Sequence, residues 1–308
     1  MKPAQMIGNY QIDKTLSKSG MSFVHLAHLP NQPNYKVALK IHIESEGPRN
    51  TYQDLLRHEA EHLARFRHPN IVRIYPINLP SGKVLYCARA VELPDNPWYF
   101  VMEYIPGSDV GKYVKNFTKF PVPWIIELFY QMLITVQFVH RLGYGHCDLK
   151  PENILLREPP DPFRIPQPIL TDFGTAHRVD LKIVEPTRSL RYSPPEVIMA
   201  YTRKDISAEN FPLYPAKIDL WSLGAILFEL LTGQHLFNQS RETEITTSIL
   251  KGELKKVQEI RPEVHSSLDK VLSVMLRVHP EERPELDEII EALEERINSV
   301  RPPRIPVG

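Results

Sequence analysis

The sequence predicts an α+β fold with two unlike parts, a small antiparallel sheet carrying one main helix and a larger, mostly helical part. Two observations support this class. Short runs rich in Val, Ile, Phe and Tyr alternate with turns over roughly the first hundred residues, which is typical of strands. After Pro106, apolar residues recur with the period of helices instead. We therefore predict parts at 1–105 and 106–297, followed by a tail at 298–308.

Turns separate the strand-like runs of the first part. Before the fourth run a helix is predicted, because Leu56, Ala60 and Leu63 recur with helical spacing. The connection at 78–97, which precedes the last strand, holds three prolines and is expected to include a hairpin. The predicted strands are 10–16, 23–28, 36–43, 71–77 and 98–103, and the predicted helix is 52–67.

Helices dominate the predicted second part. Its first long segment is apolar on most sides, as expected for a helix that is buried within its own part of the fold. Three more segments have helical periodicity. The predicted helices are 124–142, 220–231, 268–277 and 286–296.

Composition narrows the function before any motif is considered. The 308 residues carry 37 basic and 37 acidic side chains, and this zero net charge argues against a nucleic-acid coat or a polybasic membrane binder. Only two cysteines, Cys87 and Cys147, fit a reducing compartment. Residues 1–10 lack the apolar core of a signal peptide, and the apolar stretch 220–231 is too short to cross a bilayer. We therefore expect a cytoplasmic protein.

The richest group of chemically useful side chains lies at 145–155, in the sequence GHCDLKPENIL. Asp148, Lys150 and Asn153 place an acceptor carboxylate, a cation and an amide on one short segment. Phosphoryl transfer needs an acceptor for a hydroxyl proton, positive charge near the moving phosphate, and a Mg²⁺ ligand. Nineteen residues after Asn153, Asp172 follows an apolar run, and a carboxylate there is a natural ligand of this oxygen-seeking ion.

These motifs and their surroundings resemble the eukaryotic-type (Hanks-type) protein kinases, particularly bacterial serine/threonine kinases. The resemblance covers roughly 7–297 and implies the bilobal kinase fold, with ATP and Mg²⁺ (or Mn²⁺) bound between a sheet lobe and a helical lobe. The matching sequences occur in the family's order: VALK at 37–40, HEA at 58–60, HPNIV at 68–72, VMEY at 101–104, DFG at 172–174, YSPPE at 192–196, DLWSLG at 219–224 and PEERP at 280–284.

The resemblance implies catalytic and metal-binding roles in the second part. Asp148 is the acceptor of the substrate hydroxyl proton, and Lys150 steadies the transferred phosphate. A lysine two residues after the aspartate is more similar to serine/threonine kinases than to tyrosine kinases. Asn153 and Asp172 are the implied metal ligands. Arg283 is the implied partner of Glu196 in a structural ion pair.

The resemblance also implies a nucleotide site. Lys40 holds the α- and β-phosphates and is oriented by Glu59, and Met102 is the gatekeeper beside the adenine. The remaining implied nucleotide contacts are Ser17, Ser19, Gly20, Ser22, Val24, Ala38, Glu103 and Ile105.

Five positions depart from the family pattern. Serines stand at 17, 19 and 22, where the family has glycines that let the backbone approach the phosphates, so we predict weaker nucleotide binding with the chemistry retained. Cys147 stands where most members have an arginine that pairs with a phosphorylated activation loop. We predict activity that does not require that phosphorylation. Ser189 lies where the family has a threonine that contacts the catalytic loop.

Two other functions stay open at this point. HEAEH at 58–62 matches the zinc metalloprotease helix, with His68 at the spacing of a third ligand. Against this reading, Arg65 stands where that pattern requires glycine, and Glu59 is also needed by Lys40. A pseudokinase scaffold is the second alternative, supported by the serines and opposed by the intact catalytic set.

The expected partner is a protein with a Ser/Thr acceptor, the chain itself included. We expect no nucleic acid and no membrane as partners, and a regulatory partner stays unidentified.

Overall fold

The computed structural model describes residues 5–18, 22–42, 49–79, 82–117, 121–160, 167–179, 189–202 and 213–300. The chain divides into two compact units. The first comprises Met1–Pro106 with Thr171–Thr175, and the second comprises Gly107–Leu170 with Ala176–Gly308. The division after Pro106 lies one residue from the boundary we expected, but Thr171–Thr175 joins the first unit from far along the chain.

The strands of the first unit are β1 (Met6–Ile7), β2 (Tyr10–Lys18), β3 (Ser22–Leu29), β4 (Gln32–His42), β5 (Ile74–Tyr75), β6 (Ile77–Asn78), β7 (Val84–Leu85), β8 (Ala88–Arg89) and β9 (Trp98–Glu103). Most of them form one antiparallel sheet in the order β1-β2-β3-β4-β9-β5, with β8 also paired to β9. A separate hairpin joins β6 to β7, so a hairpin is present, but it begins at Ile77, one residue before the connection at 78–97 in which it was expected.

The main helix of this unit is α1 (Arg49–Arg65). Leu56, Ala60 and Leu63 are buried, which confirms the face that the apolar spacing predicted. The predicted single strand at 71–77 is wrong. Pro76 interrupts it, because proline has no N–H to donate to a ladder, and β5 and β6 form on either side.

The helices of the second unit are α2 (Val114–Phe117), α3 (Val122–Arg141), α4 (Pro195–Thr202), α5 (Pro215–Thr232), α6 (Glu242–Lys251), α7 (Val257–Ile260), α8 (Ser266–Met275) and α9 (Leu286–Val300). Its strands pair two by two, β10 (Tyr144–Gly145) with β13 (His177–Arg178) and β11 (Ile154–Leu156) with β12 (Pro168–Leu170). The unit is built around α5, which is buried along almost its whole length. The predicted α+β class is therefore confirmed.

Helix α3 was predicted as a core helix and packs against both α5 and α9. By length and apolar composition alone it is also the helix, among the described residues, that is able to cross a membrane. Half of its apolar window is buried inside the protein, and core helices satisfy the same test. Tyr130 and Gln137 bond Glu294 and Asp287, which ties its polar side to α9.

Candidate active site

Three charged side chains meet in the first unit. The Lys40 ammonium on β4 donates to both carboxylate oxygens of Glu59 on α1, at 2.8 and 2.7 Å. It also donates to Oδ1 of Asp172 at 2.8 Å. Lys40 and Glu59 are almost completely buried, whereas the Asp172 side chain is 43% exposed. One buried cation thus links a buried carboxylate to an accessible one.

The environment of these groups determines their protonation. Burial alone lowers the pKa of Lys40, but the nearby carboxylates of Asp172 and Glu59 outweigh it, and the pKa is raised. Lys40 therefore remains an ammonium. Burial raises the pKa of Glu59 to about 7, although the Lys40 ammonium opposes this rise.

Strand register places other predicted nucleotide-binding positions on the face of the sheet that carries Lys40. Residues directly opposite each other in antiparallel strands point to the same face, and so do alternate residues of one strand. Val24 lies opposite Lys40, and Ala38 lies opposite Met102. Ser17 lies opposite Val24, and Ser22 precedes Val24 by two residues. Ser19 and Gly20 lie outside the described residues.

The predicted hinge follows β9. The Glu103 amide donates to the carbonyl oxygen of Arg73 at 2.8 Å, so this amide is already committed within the protein. A backbone hydrogen bond from Glu103 to a ligand would therefore use its carbonyl oxygen. Ile105 is buried at the end of the first unit.

The backbone at Asp172 is left-handed, with φ +66°. Asp tolerates this region better than most residues, because its short polar side chain bonds locally. The next residue, Phe173, fixes the turn. It is fully buried and packs edge-on against Phe66, with ring centroids 5.1 Å apart. This packing aims the Asp172 carboxylate toward Lys40.

In the second unit the loop at 145–153 collects the other predicted residues. Both oxygens of the Asp148 carboxylate accept hydrogen bonds, Oδ1 from the Ser189 hydroxyl at 2.6 Å and Oδ2 from Lys150 at 2.6 Å. Lys150 also lies 3.3 Å from the Ser189 hydroxyl. The tight turn Pro151–Asn153 returns the Asn153 amide to Asp148, where it donates to the carbonyl at 2.9 Å and to Oδ2 at 3.3 Å.

A buried carboxylate holds this loop in place. Asp219 on α5 accepts the backbone N–H groups of His146 and Cys147, each at 2.8 Å, and lies 2.8 Å from Nε2 of His140. Cys147 adopts φ +64°, a region that non-glycine residues other than Asn and Asp rarely occupy. The hydrogen bond from the Cys147 amide to Asp219 helps to maintain this strained conformation immediately before Asp148. Burial raises the pKa of the Cys147 thiol well above its ordinary value, which disfavours a reactive thiolate.

The predicted ion pair of the second unit is also present. The Arg283 guanidinium donates to both oxygens of Glu196, at 2.7 and 2.8 Å, and both side chains are almost completely buried. This pair joins α4 to the turn before α9.

Comparison with known proteins decides the family. A model of the protein kinase domain matches residues 10–293. The chain belongs to the protein kinase family. Similar proteins include the serine/threonine-protein kinase ATG1a of Arabidopsis thaliana, 28% identical over 288 residues, or 92% of this chain and 41% of that protein. Aurora kinase C of Mus musculus is 26% identical over 285 residues, or 92% of this chain and 90% of that protein.

Another relative is the SNF-related serine/threonine-protein kinase of Rattus norvegicus, 28% identical over 289 residues, or 92% of this chain and 34% of that protein. The chain thus spans from about a third to nine tenths of the length of these three relatives. Membership of the family implies ATP as the phosphate donor, a divalent metal ion and protein substrates.

The side chains of this kinase fit such a metal. Both amide hydrogens of Asn153 are directed to Asp148, so its amide oxygen is the atom left for a cation. Asp172 supplies an accessible carboxylate. Amide and carboxylate oxygens are the ligands that Mg²⁺ prefers.

The zinc-protease alternative has no support in the geometry. Across the described parts of the chain, no three His, Cys, Asp or Glu side chains are grouped so that they could hold a metal ion. Glu59, which would be the general base of that motif, instead accepts two hydrogen bonds from Lys40.

The serines of the phosphate-binding loop can be tested directly. Ser17 and Ser22 are not among the described non-glycine residues with left-handed backbone, so no torsional cost arises at these two positions. The remaining obstacle to nucleotide binding is the bulk of the serine side chains, which keeps the backbone away from the phosphates. We expect the triple change of Ser17, Ser19 and Ser22 to Gly to lower the KM for ATP by about two- to fivefold, or ~0.5–1 kcal/mol.

The matched control is the triple change of the same serines to Ala, which removes the hydroxyls but keeps the β-carbons. Steady-state kinetics with varied ATP should show the decrease in KM only for the glycine variant. An unchanged or higher KM for that variant contradicts the prediction.

Proposed function

We propose that this protein is a serine/threonine kinase that transfers the γ-phosphate of ATP to Ser and Thr hydroxyls of proteins. One observation carries the proposal, namely that the structure contains two clusters of charged side chains of the kind that phosphoryl transfer requires, one around Lys40 and one around Asp148. Lys40 is paired with Glu59 and Asp172, and Asp148 is bonded to Lys150 and Asn153. Because several relatives are much longer than this chain, substrates and partners of the whole protein belong to the proposal as well.

The residues of the first unit bind the nucleotide. Lys40 is a permanently charged donor for the phosphates, and Glu59 keeps it in one orientation through two hydrogen bonds. Asp172 of the first unit and Asn153 of the second unit are each proposed as ligands of Mg²⁺ (or Mn²⁺), which would neutralise charge on the phosphates. Fixing these donors before the reaction lowers its barrier, because little reorganisation is left to occur.

Asp148 accepts the proton of the substrate hydroxyl. A hydroxyl of the same chemical kind, that of Ser189, already donates to Asp148 Oδ1 at 2.6 Å, which supports this assignment. Lys150 orients the carboxylate through Oδ2 and steadies the transferred phosphate. Most of the acceleration is therefore positional and electrostatic rather than covalent.

The location and partners are proposed from composition. Zero net charge and two free cysteines favour a cytoplasmic protein that acts on other proteins or on itself. Nucleic acid and membrane surfaces are not among the proposed partners, because no excess of positive charge is available to bind them.

The decisive experiment incubates the chain with labelled ATP, Mg²⁺ and a general protein substrate, followed by phosphoamino-acid analysis. We expect the wild type to label Ser and Thr, and Asp172→Ala or an excess of chelator to remove the label. A parallel reaction with Mn²⁺ compares the two ions. Wild-type labelling no greater than that of Asp172→Ala would favour the scaffold alternative, and label on Tyr would contradict the proposed specificity.

Activity should not depend on phosphorylation of the activation segment. Cys147 carries no positive charge, so the pairing that an arginine makes with a phosphate at this position is absent. We expect phosphatase-treated protein to keep more than about half of its initial rate. This corresponds to a rise of less than ~0.5 kcal/mol in the activation barrier. Mass spectrometry would establish that phosphate has been removed, and a collapse of the rate would contradict the prediction.

A further inference from the structure

The segment from Ser189 to Pro195 touches the proton acceptor of the proposed reaction. Its first residue donates to Asp148 through the Ser189 hydroxyl. The carbonyl of Ser189 in turn accepts the amide of Tyr192 at 2.8 Å, and the amide and hydroxyl of Ser193 at 3.1 Å each. The position of Ser189 therefore depends on whatever fixes the next few residues.

Two side chains of this segment reach the region around the end of α5. The Arg191 guanidinium donates to the carbonyl oxygen of Phe237 and, at 3.1 Å, to that of Gln239. The Tyr192 hydroxyl donates to Glu229 at 2.6 Å in a buried position. The successive residues Arg191 and Tyr192 thus both tie the segment to this region.

The loop that receives Arg191 is packed against α5. Phe237 is fully buried and stacks on Trp221 of α5, with ring centroids 6.4 Å apart and planes only 4° from parallel. A guanidinium with two donors to successive loop carbonyls is held in orientation as well as in distance. The hydrogen bonds of Arg191 to this loop therefore restrict the position of the segment that carries both Arg191 and Ser189.

Packing and directional bonds together hold the segment against the catalytic loop. The space between them is small, about 10 Å³, and is lined by Cys147, Asp148, Ser189, Tyr192, Ile218 and Ser222. Hydrogen bonds add orientation to this contact, because they depend on angle as well as on distance. The Ser222 hydroxyl supplies one such bond, to the Tyr192 carbonyl at 2.8 Å.

We propose that Arg191 is a positioning residue for the phosphotransfer reaction, which anchors the segment 189–195 to the loop after α5 without any phosphate. The inference rests on the proposed kinase function. Arg191 supplies an anchor for the segment that Cys147 cannot supply, because a neutral thiol offers no charge for a phosphorylated segment to pair with. Through Ser189, the anchor keeps the Asp148 carboxylate in the orientation that receives the substrate hydroxyl.

The test compares Arg191→Ala with wild type in two assays, phosphorylation of a Ser-containing peptide and hydrolysis of ATP without peptide. We expect kcat/KM for the peptide to fall about 10- to 100-fold, because a misplacement of about 1 Å near reacting groups has such an effect. ATP hydrolysis should stay within about threefold of wild type. Partial unfolding would lower both rates equally, so the ratio of the two identifies positioning.

Arg241→Ala is the matched control. Arg241 lies at the start of α6 and is 81% exposed, with its guanidinium 3.7 Å from Glu244, so this variant should keep both rates. Should Arg191→Ala fail to fold, Arg191→Lys replaces it, because a lysine ammonium keeps the charge but lacks the planar two-nitrogen fork that orients the guanidinium on both carbonyls. For Arg191→Lys we expect a smaller loss with the peptide and faster hydrogen exchange at the amides of Tyr192 and Ser193.

Four outcomes separate the proposed function from the inference. A wild type without activity above Asp148→Asn would overturn the proposed function, and the inference with it. If the wild type is active and Arg191→Ala phosphorylates the peptide with unchanged kinetics, the inference alone would be overturned. Equal losses in both assays, or unchanged hydrogen exchange in Arg191→Lys, would also overturn it, because the role would then be merely structural.

Discussion

Phosphorylation of protein substrates by the Asp148→Asn variant is expected to fall on the order of 1,000-fold below wild type, or ~4 kcal/mol in barrier height. Asparagine has the shape of aspartate, so the contacts of this side chain with Lys150 and Ser189 can largely be retained. What is lost is the capacity to take a proton from the attacking hydroxyl. The measurement is the initial rate with labelled ATP at saturating substrate.

The fold and nucleotide binding should survive this change. Asp148→Asn is expected to bind ATP with near wild-type affinity, because Lys40, Glu59 and Asp172 are untouched. The matched control is Asp287→Asn, at an aspartate whose side chain is 62% exposed and bonded to Gln137 of α3, and it should keep its activity. A residual rate above about one tenth of wild type would mean that the proton acceptor has been misassigned.

The second large effect concerns stability. Removing Glu196 by the change Glu196→Ala should destabilise the second unit by about 3–5 kcal/mol, because the Arg283 charge would stay buried without its partner. The Arg283 side chain has 0% exposure and also donates to the carbonyl of Arg277 at 2.8 Å, so it has no path to solvent. Urea denaturation followed by tryptophan fluorescence should show the transition at lower urea.

An exposed pair provides the comparison. Glu285 lies 2.6 Å from Lys217 but is 70% exposed, so Glu285→Ala should cost less than about 1 kcal/mol. Replacing both buried partners, by Glu196→Leu with Arg283→Met, should destabilise less than Glu196→Ala alone, since no charge is left unpaired. Equal midpoints for Glu196→Ala and wild type would show that the buried pair does not stabilise this unit.

Periodic segments with strong local signals were predictable from the sequence. The helix expected at 52–67 is α1, and the strand expected at 98–103 is β9 with the same bounds. Helix α6 was not predicted, because the polar and β-branched residues in ETEITTSILK weaken its helical signal. Its stability comes instead from buried Ile245 and Ile249, which only the folded unit supplies.

At the site, motif order pointed to the residues but not to the contacts that position them. The hydrogen bonds of Arg191 to Phe237 and Gln239 and of Tyr192 to Glu229 join residues tens of positions apart. No local pattern carries that information, because nothing in the spacing of one segment encodes its distance from another. The left-handed backbone of Cys147 could not be predicted for a similar reason, since it depends on the hydrogen bond that the Cys147 amide donates to the distant Asp219.

The burial of Phe173 bears on how this kinase can be inhibited. The ring has no exposed surface and packs edge-on against Phe66, while its carbonyl oxygen lies 3.5 Å from Nδ1 of His62. A small molecule that occupies the place of this ring must first drive it into water, at about 1.5–3 kcal/mol. That difference is roughly 10- to 150-fold in affinity. Compounds that leave Phe173 where it is avoid this loss of affinity.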